Sequence, residues 1–551
     1  MYYQSYQKLF LVLCCLVIFG SASVGLMTAL RAGPAWDDPT ELHVFNGFLE
    51  LEDQPDLSYQ AGREKLDGYS PGAGYYGVVP QSLAHVLDAV VSGSQWSKAV
   101  EPTVSSIARR HVISILLALI SATTIFVTVF LVAGESLPAF TAVAVLLSTP
   151  VFLGLSSIDI KDGPLAAGMT IFSCGCALIL SQLRNNSQIG PLPGSPAARI
   201  LAGLAIFVGT FLTLGTRAGS APLLAVQGIV LCAALAIFFR SDKHKVIVLS
   251  AVFGGAAFAG TVLAILANPL ARKAPIRWIV ESATFAAHFP TGVTPLRLYG
   301  ETIFSNAIPW WYSPGWMIVE YPIAFLVLIV LGTIVPAYRR CILRSRTVLL
   351  PWLPFIVQGL VLPICVFVSG AVLYDRLRHL LFIVPAVCML AGAGLYYCVI
   401  TVGTNRRWVK LALAALAPTL LLFNFASTVL WYPYQYAYLN AFGRSFPQFA
   451  FDTDYWGLTM QEGVQRMGRL GINSFRVGPA PLTALYNTPE FGFALDLVSA
   501  SYPAYPRPVS GGGAYYVHSR PSWGAAGLPD FCETLFQIKR QGVVLGAGGR
   551  C

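Results

Sequence analysis

Apolar runs of about twenty residues recur along the whole chain, the length an α-helix needs to cross the hydrocarbon core of a bilayer. They fall near residues 9–30, 110–133, 138–157, 164–183, 199–215, 220–239, 246–267, 316–337, 347–370, 380–401 and 411–431. The pattern predicts an all-α polytopic membrane protein of about eleven transmembrane helices. Composition agrees, since 55% of the 551 residues are hydrophobic and 11% are charged, too apolar a balance for a soluble globule. The first run is longer than the apolar core of a cleaved signal peptide and reads as a retained span. Most cysteines (Cys14, Cys15, Cys174, Cys176, Cys232, Cys365, Cys388, Cys398) lie inside such runs. They behave there as small apolar residues and lack metal-ligand spacing.

The net charge of +10 comes from Lys and Arg scattered among short loops, which argues against a nucleic-acid partner. With the N-terminus cytoplasmic, the positive-inside rule is met by Arg184, by Arg240, Lys243 and Lys245, by Arg339, Arg340, Arg344 and Arg346, and by Arg406, Arg407 and Lys410. An odd number of spans then puts the C-terminus outside, together with residues 31–108, 158–163 and 268–315. Two regions follow: a transmembrane domain, 1–431, which includes the outer loop 31–108, and an extracytoplasmic domain, 432–551. The loop 31–108 carries amphipathic pieces such as 81–91 and is expected to lie along the membrane surface rather than to form a domain. The tail reads as a small α/β domain. Its Cys532 and Cys551 are either a disulfide or two free thiols.

Three short polar stretches fall on the outer side. The first is Trp36-Asp37-Asp38-Pro39-Thr40-Glu41-Leu42-His43. Asp38, Pro39 and Glu41 have the spacing of a helix capping box with Pro at the first turn. Asp37 precedes the cap and is left without a structural role, and a carboxylate at a membrane boundary is a functional candidate by default. The second is Asp159-Ile160-Lys161-Asp162-Gly163-Pro164, in which Asp162 can cap the next helix and Lys161 can reach lipid phosphate. The third, Tyr374-Asp375-Arg376-Leu377-Arg378-His379, breaks the positive-inside rule, and paired arginines suit a phosphate ligand. Arg217 and the group Arg109-Arg110-His111 are further outer cations for which anionic headgroups suffice as partners. Pro309 to Trp316 reads either as an interfacial aromatic belt or as an aromatic platform for sugar rings.

Taken together, these stretches resemble bacterial membrane glycosyltransferases of the GT-C superfamily, in the branch of protein O-mannosyltransferases and lipid A aminoarabinose transferases. The likeness rests on Trp36-Asp37-Asp38 with His43, Ile160-Lys161-Asp162-Gly163-Pro164, Gly215-Thr216-Arg217, Pro309-Trp310-Trp311-Tyr312-Ser313-Pro314 and Tyr374 to His379; Tyr432-Pro433-Tyr434-Gln435 and Asp454-Tyr455-Trp456-Gly457 look like signatures of one subgroup. The resemblance implies transfer of a sugar, with inversion, from a polyprenyl-phosphate donor to a lipid, polysaccharide or protein acceptor on the outer face of a bacterial inner membrane. It makes Asp37 the catalytic base and puts Asp38, which stands where the family has Glu, with Glu41, His43, Asp159 and Asp162 in the acceptor or metal environment. It assigns Lys161, Arg217, Arg376, Arg378 and His379 to the donor phosphate, and admits a divalent cation, Mg or Mn, at Asp38 and Asp162. The alternative, a lipid or oligosaccharide transporter or flippase, calls for charges near the bilayer midplane and internal repeats; neither is evident here.

Overall fold

The computed structural model describes residues 2–93, 99–182, 196–238, 242–289, 293–343, 347–401, 407–477, 494–497, 513–523, 527–528 and 532–550. Among these, 9 helices are long and apolar enough to cross a membrane, or up to 11 if two bent pairs each count as one span. The protein is therefore a mostly helical polytopic membrane fold carrying a small C-terminal sheet domain. The bent pairs fall in the runs 138–157 and 316–337, which the hydropathy reading took as single spans. Ser136–Leu147 and Pro150–Ser156 meet at 69°, and Tyr312–Glu320 and Ile323–Thr333 at 114°. A proline stands at each break, Pro150 and Pro322, where it can open a new helix but cannot continue the old one.

The helix Asp162–Ser181 is the axis of the bundle, buried along its length. Small residues permit this. A Cβ on Gly168 would lie 2.8 Å from the Thr213 nitrogen, and one on Gly175 would lie 2.9 Å from the Ala202 carbonyl, so this helix and Pro196–Thr216 pack backbone to backbone. That packing brings the start of one helix, at Asp162, beside the end of the other, at Arg217.

Residues 31–108 do more than lie on a surface. Helices Asp38–Glu52 and Tyr59–Asp67 share a core of Leu42, Phe45, Phe48, Leu51 and Leu66 with Leu270 and Trp278 from the helices Pro269–Lys273 and Pro275–Ala287. Trp278 Nε1 donates to the Gly74 carbonyl at 3.0 Å, so the only polar atom of that buried ring is satisfied. The helix Val79–Ser92 does have the expected apolar stripe, with Leu83, Val86, Val90 and Val91 exposed. Its other face turns Asp88 onto Arg109 and Arg110. Those arginines therefore hold protein carboxylate rather than headgroups.

Among the described residues the C-terminal sheet has 5 strands. Ser474–Val477 runs parallel to Ala494–Leu497 and to Ala514–His518, and Val543–Arg550 pairs antiparallel with Ala514–His518 and with Glu533–Arg540. The helix Met460–Arg469 packs on it, and Gly463 leaves room for the Tyr516 ring, which a Cβ there would overlap. The 431/432 boundary marks the end of the last span but no gap in packing. Gln435 accepts from Thr28 Oγ1 at 3.1 Å, and Asn440 Nδ2 donates to the carbonyls of Ile318 at 2.6 Å and Tyr321 at 2.8 Å. Cys532 is disulfide-bonded; Cys551, the other cysteine of the tail, lies outside the described residues.

Candidate functional site

Five chain segments meet at one end of the bundle. Asp37 comes from the turn after helix Tyr2–Arg31, and Lys161 and Asp162 from the start of the axial helix. Arg217 comes from the end of Pro196–Thr216, Arg378 from the loop before Ile383–Thr401, and Trp456 from the C-terminal region. Backbone contacts hold these segments in register. Trp36 N donates to the Trp456 carbonyl at 2.9 Å, and Gly77 N donates to the Thr216 carbonyl at 2.9 Å. A Cβ on Gly77 would overlap the Gly215 carbonyl, so only glycine lets this strand cross at that distance.

Carboxylates and cations alternate across the site. Arg378 Nη1 lies 3.5 Å and Lys161 Nζ 3.9 Å from Asp37 Oδ2. Lys161 Nζ donates to Glu41 Oε1 at 2.5 Å and stands 5.5 Å from the centre of the Tyr76 ring. Arg217 Nη2 pairs with Asp162 Oδ1 at 2.6 Å and stacks on the same ring at 5.6 Å. The guanidinium of Arg378 lies between the rings of Tyr374, at 4.7 Å, and Trp456, at 5.0 Å. Asp37 keeps 29% of its side chain exposed, against 7% for Asp38, 1% for Asp162 and 4% for Asp375. Glu41, 19% exposed, is closed onto Lys161, so Asp37 is the most exposed carboxylate of this group.

Burial pushes the Glu41 carboxyl above its ordinary range, an effect that Lys161 partly offsets. Burial alone would pull the Lys161 ammonium down, but Glu41 and Asp37 outweigh it and hold the group charged. His379 is held well below its usual range by burial and by the nearby cations Arg378, Arg217 and Lys161, so its imidazole is neutral. It meets the Tyr374 ring edge-on at 4.5 Å.

The capping box is not formed. Asp38 is the first residue of its helix, and its Oδ2 accepts from the Ala35 nitrogen at 2.6 Å and contacts His111 Nε2 at 3.0 Å. Glu41 reaches forward to Lys161 rather than back to the helix start. Asp162 likewise begins its helix without capping it and pairs with Arg217. Asp38 and Asp162 thus serve different partners, and among the described residues no group of three or more His, Cys, Asp or Glu side chains gathers to hold a metal ion. His43 is exposed on its helix, apart from the ion pairs.

Arg376 faces elsewhere. Asp375 and Arg376 both adopt positive φ, 55° and 68°, a backbone state uncommon outside glycine. The chain turns sharply there, so that Arg378 reaches Asp37 and Asp375 pairs with Arg378 while Arg376 enters the protein. Arg376 forms an ion pair with Glu320, donates to the carbonyls of Tyr436 at 3.2 Å and Tyr438 at 2.6 Å, and stacks 4.8 Å from the Trp316 ring.

The structure therefore brings together Asp37, Glu41, Asp159, Lys161, Asp162, Arg217, Arg378 and His379, with Asp38 one layer beneath. To these it adds Tyr76, His111, Asp375 and Arg520, to which the sequence reading gave no part in the site. A groove of about 250 Å³ opens beside it. Leu165, Leu223, Val226, Phe285, Phe289 and Val366 form apolar walls, and the polar lining includes Arg217, His379, Tyr76 and Tyr374 together with Ser220, Ser282 and Ser369.

Fold and site together define a polytopic membrane protein with an ion-paired polar centre at one end of its helices and an apolar groove leading to it. No protein-family model matches the chain, and no curated protein matches it. Among solved structures it is similar to ArnT from Cupriavidus metallidurans in the apo state, with a TM-score of 0.48 and 10% identity over 97% of each chain. It is similar to the same protein bound to undecaprenyl phosphate, with a TM-score of 0.42 and 12% identity over 97% of each chain. The archaeal oligosaccharyltransferase AglB from Archaeoglobus fulgidus, in complex with an inhibitory peptide and a dolichol-phosphate, aligns with a TM-score of 0.43 and 12% identity, over 75% of this chain and 56% of that one.

Proposed function

We propose that this protein is a glycosyltransferase that moves a sugar from a polyprenyl-phosphate-linked donor to an acceptor hydroxyl at the outer face of the membrane, with inversion. The observation that carries the proposal is the most exposed carboxylate of the site, Asp37, set between two cations beside a groove that has apolar walls and Arg217 in its lining. A donor with a long hydrocarbon tail and a phosphate head has the same division of character. Within this site Arg217 Nε, Arg378 Nε and His379 Nδ1 are buried with no hydrogen-bond partner among the described residues. Orphaned buried donors are costly, and a phosphate oxygen relieves that cost.

In the proposed step the acceptor oxygen attacks the anomeric carbon while its proton passes to Asp37. The bond from that carbon to the phosphate oxygen breaks, and the phosphate leaves with the electron pair. Lys161, Arg217 and Arg378 meet its growing charge. A transporter is the poorer reading, because these charged groups gather at helix ends rather than along the middle of the bundle.

Replacing Arg378 by Ala is expected to weaken binding of undecaprenyl phosphate by about ten- to a hundredfold, the loss of a charge-assisted contact of about 1.5–3 kcal/mol. Affinity measured on the purified protein in lipid nanodiscs tests this, and an unchanged value removes Arg378 from the phosphate site. The divalent cation enters the proposal at Asp162 with Asp159 in place of Asp38. Asp159 Oδ2 and Asp162 Oδ2 are buried with no hydrogen-bond partner among the described residues, and a cation would relieve the cost of leaving them so. Bound there, Mg or Mn would supply further positive charge for the leaving phosphate. Chelation is expected to lower transfer and added Mg²⁺ or Mn²⁺ to restore it; transfer that is indifferent to chelator takes the ion out of the proposal.

A further inference from the structure

We infer that the C-terminal domain is part of the reaction centre rather than a cover over it, and that it acts through Arg520 as a positioning residue for Arg378. This rests on the assignment of Arg378 to the donor phosphate.

Arg520 lies beside the strand Ala514–His518, far in sequence from any stretch that drew attention as a candidate, and it is buried, 3% exposed. Its Nη1 donates to the Tyr455 carbonyl at 2.8 Å and its Nη2 to Asp375 Oδ1 at 2.9 Å. Its guanidinium stands 5.9 Å from the ring centre of Trp36, the neighbour of Asp37. The second oxygen of Asp375, Oδ2, pairs with Arg378 Nη2 at 3.3 Å. One buried carboxylate is thus divided between two arginines, one from the tail and one from the site.

The division has a chemical consequence. A carboxylate left alone with an arginine uses both oxygens in a two-bond fork. Arg520 occupies Oδ1, so Asp375 offers Arg378 one oxygen, and Arg378 Nε stays without a partner among the described residues. The positive φ of Asp375, 55°, is a conformation that surrounding contacts must sustain, and Arg520 is one such contact. Without it, Asp375 is free to close both oxygens onto Arg378 and take up the donors that a phosphate would use.

The test compares two probes on the full chain in nanodiscs: undecaprenyl phosphate, and undecaprenol, which has the tail without the phosphate. Arg520→Gln is expected to weaken binding of the phosphate by about tenfold, in line with misplacement of one binding group, and to leave binding of the alcohol unchanged. In an Asp375→Asn background the same change is expected to cost nothing further, because its effect runs through that carboxylate. Equal loss for both probes reduces Arg520 to a structural role and overturns the inference. So does additivity with Asp375→Asn. If Arg520→Gln does not fold, Arg520→Lys serves, since one ammonium cannot span Tyr455 and Asp375 as the guanidinium does. A smaller loss confined to the phosphate is expected, and no loss, or equal loss for both probes, overturns the inference. Failure of Arg378→Ala to affect phosphate binding is a separate result, which refutes the phosphate assignment itself.

Discussion

Replacing Asp37 by Asn is expected to abolish sugar transfer while leaving the protein folded and its melting temperature nearly unchanged. The amide has the shape of the carboxylate, and the Asp37 side chain makes only long contacts, 3.5 Å to Arg378 and 3.9 Å to Lys161. Partly exposed pairs of that length add little stability. What the substitution removes is the ability to accept a proton from the acceptor hydroxyl, a contribution of about a hundredfold to ten-thousandfold in rate. Asp38→Asn is the contrasting control. Asp38 is buried and receives the Ala35 nitrogen and His111, so its loss is expected to appear first as a lowered melting temperature. Transfer from a lipid-linked donor, measured beside thermal unfolding for both variants, separates the two. Full activity in Asp37→Asn ends its assignment as the base.

The helices were legible because each apolar run must be long enough to span a bilayer, and that requirement is local. The breaks were not, although Pro150 and Pro322 stand at them, because mean hydropathy over a window does not register where a chain turns. In the site, Asp37 is legible in the sequence as the carboxylate without a local role, and Lys161, Arg217 and Arg378 as charges in short stretches between apolar runs. The local pattern misled where it was strongest. Asp38 and Glu41 have capping-box spacing, yet the helix starts one residue earlier than a cap at Asp38 requires, and Asp38 is drawn to Ala35 and His111 and Glu41 to Lys161. A capping contact is worth about 1 kcal/mol, less than a buried charge gains from a cation beside it. Arg520 and Asp375 could not be paired from the sequence, since nothing short of the folded tail brings residues 145 positions apart together.

Arg376 is the position where motif and structure part most widely, and the second large effect is expected there. Side by side in the chain, Arg376 and Arg378 look like twin phosphate ligands. The left-handed turn at Asp375 and Arg376 sends them to different places. Arg376 and Glu320 form an ion pair in which each side chain is 1% exposed. Removing one partner leaves the other charge buried and unpaired, so Arg376→Ala is expected to destabilise the protein by about 3–5 kcal/mol. Replacing both, with Arg376→Met and Glu320→Leu, is expected to recover most of that loss, because the desolvation of both charges is then avoided. Recovery stays incomplete, since the carbonyls of Tyr436 and Tyr438 lose the donors they have at 3.2 Å and 2.6 Å. Thermal unfolding of the three forms in detergent reads the stability, and undecaprenyl phosphate binding by the folded fraction is expected to stay near the parent value. A variant Arg376→Ala that melts normally and binds the phosphate poorly would return this arginine to the donor site and remove the structural role argued for its buried pair.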